Sequence, residues 1–217
     1  EDDAVATLRH AVDKGIDLID AAPGYKICEA MIGRAFEGRL PRGVRVTTKF
    51  GLGTVPPEEV YPHLRASLEA SLEAMRLARV DMMLLHTELR RDTFRYPPSR
   101  GSDKRSDNER STTLSLYRTA VRPAFARLVE EGLIGHWGLT GINQADAMIE
   151  ALSGEGPHPA AVQEIANLLD SPGEMNGTGL KPRPRAVMAA AHAAGVGVMG
   201  VRAVQAGALT SALDRTE

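Results

Sequence analysis

The 217-residue chain has one cysteine, Cys28, so no internal disulfide can brace it. Its first residues, EDDAVATLRH, are acidic and amphipathic, unlike a secretory leader. Both features point to a reducing, cytoplasmic setting. Net charge is -2, too little for a global field that would recruit nucleic acid or an anionic membrane. No run of about 18 apolar residues reads as a membrane span. No GxGxxG follows a strand and no GxxxxGK[ST] occurs, which disfavours a Rossmann unit or a P-loop. His63, His136, His158 and His192 stand at no metal-ligand spacing with one another or with Cys28, so no metal is expected.

What is present suits one domain with a sizeable core, read over 1–217: 43% of residues are hydrophobic and 25% charged. The organising stretch is IDLIDAAPGYKICEAMIG, 16–33. A short apolar run ends in Asp20, a Pro-Gly turn and Tyr25 follow, and a helical pattern begins at Glu29. A strand leaving a parallel sheet delivers polar side chains to its carboxyl end in this way. VRVTTKF does the same with Lys49, and VDMMLLH with His86.

The spacing predicts helices over 4–14, capped by Asp3 and stopped by Gly15, and over a short stretch marked by Ile32, Ala35 and Phe36. A long helix opens at Pro56-Pro57 with the stripe Leu64, Leu68, Leu72 and Met75. Further helices are expected over 115–131, from an Asn143 cap to about Leu152, and over 185–194. Strands are expected at 16–22, 44–50, 80–86, 134–140, 160–166 and 196–202. The polar segment 88–113 reads as a long surface loop. Six strands alternating with helices indicate a parallel α/β sheet. The chain opens on a helix and stops soon after a strand, so the expectation is an incomplete (β/α)8 TIM barrel with six readable parallel strands. An open wall of six strands leaves two apolar edges unpaired; the oligomeric state is not legible.

At these residues the chain resembles the aldo-keto reductase superfamily, which places Asp in a DTA-like strand end, Tyr in a YG turn, Lys in a TK strand end and His in an LH strand end. Here they read DAAPGY, TTKF and LLHTE, giving Asp20, Tyr25, Lys49 and His86. IGHWGLTGIN, AVQEIANLL and GVGVMGVRAVQAGALT resemble later segments of the family. The resemblance implies a fragment without the family's first strand and without the C-terminal segment that carries most contacts to the cofactor's adenosine and 2′-phosphate, and the pattern differs at three further places. Lys26 replaces the glycine after the tyrosine, Thr140-Gly141 replaces the Ser-Asn pair that holds the nicotinamide carboxamide, and Val201 replaces the aromatic that stacks on the ring.

The resemblance implies NADP(H)-dependent reduction of small aldehydes or ketones, or the reverse oxidation, with NAD(H) as the other nicotinamide left open. The hydride comes from the cofactor, since no side chain supplies one. A free phenol ionises at about 10, so proton exchange by Tyr25 near neutrality needs a neighbouring cation. Lys49 fills that role, held charged and oriented by Asp20, and His86 orients the carbonyl. The cofactor-contacting residues implied are Asp20, Thr140, Gln163 and Arg202, with Asn167 a further candidate. Taken singly, each has a plainer reading: a structural Asp20–Lys49 ion pair, a packing tyrosine, a satisfied histidine, an inert buried Cys28 thiol. Two other functions stay open: a non-catalytic binding or regulatory scaffold of the same family, and a Schiff-base lyase or isomerase using Lys49.

Overall fold

The computed structural model describes residues 1–96, 107–141, 144–171 and 181–205. Strands β1 (Leu18–Asp20), β2 (Arg45–Phe50), β3 (Val80–Leu85), β6 (Ile134–Thr140), β7 (Ala161–Ile165) and β8 (Gly197–Val201) form one sheet in that order, every pair parallel. Two-residue strands β4 (Leu89–Arg90) and β5 (Thr112–Thr113) pair separately. Helices α1 (Asp2–Asp13), α2 (Cys28–Phe36), α3 (Pro57–Met75), α4 (Asp107–Arg110), α5 (Leu114–Leu116), α6 (Arg122–Glu130), α7 (Ala145–Ser153) and α8 (Pro184–Ala193) complete the chain. This curled half-barrel is an incomplete (β/α)8 barrel.

The register sorts the side chains into two faces. Phe50, Leu85, Leu139, Val162 and Val198 form one row across five strands. The first four of these pack with Leu64, Leu68 and Met75 of α3 in the main core between sheet and helices. Strand side chains alternate faces, so Lys49, Leu84, Gly138, Ala161 and Gly197 form a row on the opposite, inner face. One step up, Thr140 pairs with Gln163 on that same face. Among the described residues, β1 pairs only with β2 and β8 only with β7, leaving Leu18 and Val198 exposed at the two edges.

Several expectations change. β1 is shorter than 16–22, because Ile16 N–H is taken by Ala11 O as the chain leaves α1. Asp3 lies inside α1 rather than capping it; Glu1 holds the cap position. The Asn143 cap lies outside the described residues, and Gln144 occupies the N-cap position. Segment 88–113 is not all surface loop. Its ends pair through Thr112 N–H to Glu88 O (2.8 Å), and Leu89, Arg90, Ser111 and Thr112 are buried; 97–106 lie outside the described residues. Two-residue strands are too short to leave a periodic signal.

The single helix expected over 115–131 is interrupted by a π turn, Tyr117–Val121, between α5 and α6. Arg122 N–H reaches back five residues to Tyr117 O. Pro123, the next residue, has no N–H to give, and a wider turn accommodates the missing bond.

Candidate active site

The carboxyl ends of β1, β2 and β3 bring Asp20, Tyr25, Lys49 and His86 to one mouth. The Lys49 side chain is fully buried, and its Nζ donates to Asp20 Oδ2 at 2.7 Å and to Ala21 O at 2.9 Å. A buried ammonium is stable only when paired and hydrogen-bonded, and these two acceptors supply that. Thr47, two residues before Lys49 and therefore on the same face, donates its hydroxyl to Asp20 Oδ1 at 2.6 Å. Both carboxylate oxygens are thus fixed.

Tyr25 lies across this pair, its ring centroid 4.6 Å from Lys49 Nζ. Its other neighbour is His86, edge-on at 5.8 Å between centroids. The tyrosine is 43% exposed, so the phenol is open to a ligand. His86 sits at the rim of the concave mouth, where lost hydration first and then the Lys49 charge push its pKa below the usual histidine range. At neutral pH the imidazole is uncharged and offers one N–H donor. Its backbone N–H bonds Phe50 O at 2.7 Å, and Thr87 Oγ1 accepts from Leu52 N at 2.7 Å, tying the loop after β2 to the end of β3.

On the far side of the inner face, Gln163 is 5% exposed and its amide has no partner among the described residues. An amide without a protein partner suits a ligand carrying a matching amide. Thr140 spends its hydroxyl proton on Leu85 O (2.9 Å), leaving the oxygen as an acceptor. Asn167 is not available to a cofactor. Its Nδ2 donates to Ser171 O, Arg202 O and Gln205 Oε1, and its Oδ1 accepts from Leu169 N and Ser171 N. It clamps the loops after β7 and β8 together, and Arg202 sits in that clamp with a left-handed φ of 59°. Cys28 is half-buried and its thiol is pushed up, mainly by burial, so it is held as the protonated thiol.

Three contacts escaped the sequence reading. Thr47 could have been found from its spacing to Lys49. Glu29 is buried at the start of α2 and accepts from Thr48 Oγ1 at 2.5 Å, fastening α2 to β2 behind the site. Glu164, 1% exposed, stands on the helix-facing side of β7. A charged residue inside the apolar run AVQEI was the available signal, since a strand buried on both faces rarely carries one.

A parallel half-barrel with an ion-paired lysine, a tyrosine and a histidine at its strand ends defines a class of barrel with its site at the carboxyl end of the sheet. The sequence profile described as the Aldo/keto reductase family matches residues 1–217, and the chain belongs to that family. L-galactose dehydrogenase of Arabidopsis thaliana is 36% identical over 90 residues, 40% of this chain and 28% of that enzyme. An aldo-keto reductase from Klebsiella pneumoniae, solved in complex with NADPH, matches with TM-score 0.62 and 24% identity, covering 99% of this chain and 62% of that one. The aldo-keto reductase MGS-M4, from a Medee basin deep-sea metagenome library, matches with TM-score 0.65 and 18% identity over 99% of this chain and 65% of that one. The chain therefore spans less than two thirds of each of these three relatives. Among the described residues no helix is long and apolar enough to cross a membrane.

Proposed function

We propose that the mouth is a carbonyl-reducing site working with NADP(H), or NAD(H), on small aldehydes and ketones and, in reverse, on alcohols. The observation that carries this reading is the buried Lys49, paired to Asp20 and lying 4.6 Å from the Tyr25 ring. Tyr25 is the proton donor to the substrate oxygen. The Lys49 ammonium, 4.6 Å from the ring, places a fixed positive charge beside the phenol where negative charge develops during the transfer. Asp20, fixed by Thr47, keeps the ammonium charged and in place. Neutral His86 donates a hydrogen bond to the substrate oxygen and sets its approach to Tyr25.

The residues present suit the nicotinamide cofactor in part. Gln163 offers an unpaired amide and Thr140 an acceptor oxygen for a carboxamide, while Val201 provides no ring to stack on it. Asp20 and Arg202 complete the proposed contact set. When bound, the cofactor supplies the hydride. A Schiff-base reading of Lys49 is disfavoured by its ion pair, because a nucleophilic amine must be unprotonated. The plant relative, named a galactose dehydrogenase, supports the alcohol-oxidising direction.

Tyr25→Phe tests the assignment. It is expected to abolish aldehyde-dependent NADPH consumption while leaving the NADPH fluorescence titration unchanged. Turnover equal to the parent would remove Tyr25 from the mechanism.

A further inference from the structure

The segment after β3 holds a guanidinium largely out of water with no acid to neutralise it. Arg90, in β4, is 5% exposed. Its Nε donates to Ser111 Oγ at 2.9 Å and its Nη1 to Phe94 O at 3.0 Å. Ser111 gives its own proton to Asn108 O at 3.0 Å and so meets Arg90 as a neutral acceptor. A carbonyl and a hydroxyl fix the geometry of a cation but leave its charge standing, and an unpaired desolvated charge is costly. Arg90 makes no ion pair among the described residues. Its neighbour Arg91 shows the contrast: it is exposed, and it reaches both Glu150 and Asp146 of α7.

A second guanidinium converges on the same point. Arg95 Nη1 donates to Phe94 O at 2.8 Å and also to Asp92 O. Two cations that share one carbonyl oxygen stand within about 6 Å of each other, where like charges repel. Lost hydration first, and then the Arg95 charge, pull the pKa of Arg90 below the usual guanidinium range, with Asp92 and Tyr96 opposing. Asp92 closes on neither arginine. Its carboxylate accepts from Ser115 N at 3.2 Å and from Ser115 Oγ. Arg95 is exposed and also lacks an ion pair among the described residues. Nη2 of both arginines and Nε of Arg95 therefore have no protein acceptor there, and Arg90 Nη2 is not enclosed, so it opens to solvent.

The pair lies apart from the mouth. β4 packs against α7. The cleft of about 500 Å³ at the mouth is lined by Lys49 and His86 and by neither arginine. Carbonyl reduction leaves these two charges without a task.

We propose that Arg90 and Arg95 form a binding site for a phosphate group, carried as the free anion or as a monoester. A tetrahedral oxyanion presents several acceptors on one small body and reaches both forks at once, the geometry for which guanidinium is suited. A carboxylate has two coplanar oxygens and satisfies one fork. Binding neutralises the Arg90 charge and relieves its repulsion from Arg95.

The test titrates the full chain, without cofactor and at constant ionic strength, with inorganic phosphate, methyl phosphate and acetate in a calorimeter. Phosphate is expected to bind, and acetate to bind at least about tenfold more weakly. Arg95→Ala, at an exposed position that leaves the fold in place, is expected to weaken phosphate at least about tenfold, one charge-assisted hydrogen bond's worth. Arg90→Lys keeps the charge, loses the fork, and is expected to weaken it likewise. Arg91→Ala removes an equal charge one residue away and is expected to change phosphate binding less than about twofold. Methyl phosphate bound as tightly as inorganic phosphate identifies a monoester ligand and its exclusion identifies the free anion; both support the site. No binding to the parent, binding unchanged in Arg95→Ala, an equal loss in Arg91→Ala, or acetate bound as tightly as phosphate overturns the proposal. None of these results bears on the reading of Tyr25, Lys49 and His86.

Discussion

Replacing Glu164 by Gln isolates one buried charge. Glu164 Oε1 accepts from Ile165 N at 2.8 Å, and its Oε2 has no partner among the described residues. Burial pushes the carboxyl up to about 8 from the ordinary 4.5, opposed by the Ile165 bond, and no charged neighbour contributes. Between those values the folded chain holds a proton that the unfolded chain releases. Stability from this group is therefore complete below pH 4.5 and falls as pH rises, by about 1.4 kcal/mol per unit, until the group ionises in the fold near pH 8. Gln has the same shape and stays neutral. The variant is expected to match the parent near pH 5, to exceed it by about 3 kcal/mol at pH 7, and to level off at about 5 kcal/mol above pH 8. Urea unfolding read by Trp137 fluorescence suits the measurement, since the single tryptophan is 6% exposed and stacks on Phe125 at 5.6 Å. Every other titrating group is common to both proteins and cancels. Stability curves that stay parallel from pH 5 to pH 9 would refute the reasoning.

Other perturbations follow from the same accounting. Asp20→Asn leaves the buried Lys49 ammonium with Ala21 O and a neutral amide as acceptors, and is expected to cost about 2–3 kcal/mol in urea unfolding; an unchanged midpoint would show that the pair contributes nothing. Tyr117→Phe removes a hydroxyl that is buried without a partner, beside Trp137, and is expected to stabilise by about 1 kcal/mol. A loss of stability in that variant would mean that the hydroxyl is satisfied in solution.

The strand–helix rhythm was legible because each element carries its own local signal. VDMMLLH is a short, nearly apolar run, VRVTTKF is rich in Val and Thr and closed by Gly51, and Leu64, Leu68, Leu72 and Met75 repeat at helical spacing. What the sequence hid depends on neighbours instead. The π turn comes from one absent N–H at Pro123 acting on a turn already formed. The β4–β5 pair joins residues more than twenty positions apart, with no periodicity to mark it. Asn167 looked like a ligand-binding amide because its type and place suit one. Only its five hydrogen bonds to the loops after β7 and β8 show that its donors and acceptors are already used.

The site shows a similar dependence on the next strand. Gly141 stands where the family resemblance would place an asparagine, and a Cβ there would lie 2.5 Å from Glu164 Oε2 and 3.0 Å from Val162 Cγ2. The Gly141 N–H is also bonded to Gln163 O at 2.7 Å, so the backbone cannot retreat without breaking the β6–β7 junction. A side chain at 141 therefore needs Glu164 to move, and Glu164 is enclosed. Gly141 and Glu164 form one physical unit: the buried carboxyl occupies the space that a larger residue at 141 would need. Under the proposed function, the grip on a carboxamide passes to the remaining groups on the inner face, the unpaired Gln163 amide and the Thr140 oxygen. These are in register across β6 and β7 and do not share the crowded side of the sheet with Glu164. Packing on the helix-facing side thus excludes an asparagine amide at 141 as long as Glu164 holds its place, and it does not touch the inner face that carries Thr140 and Gln163.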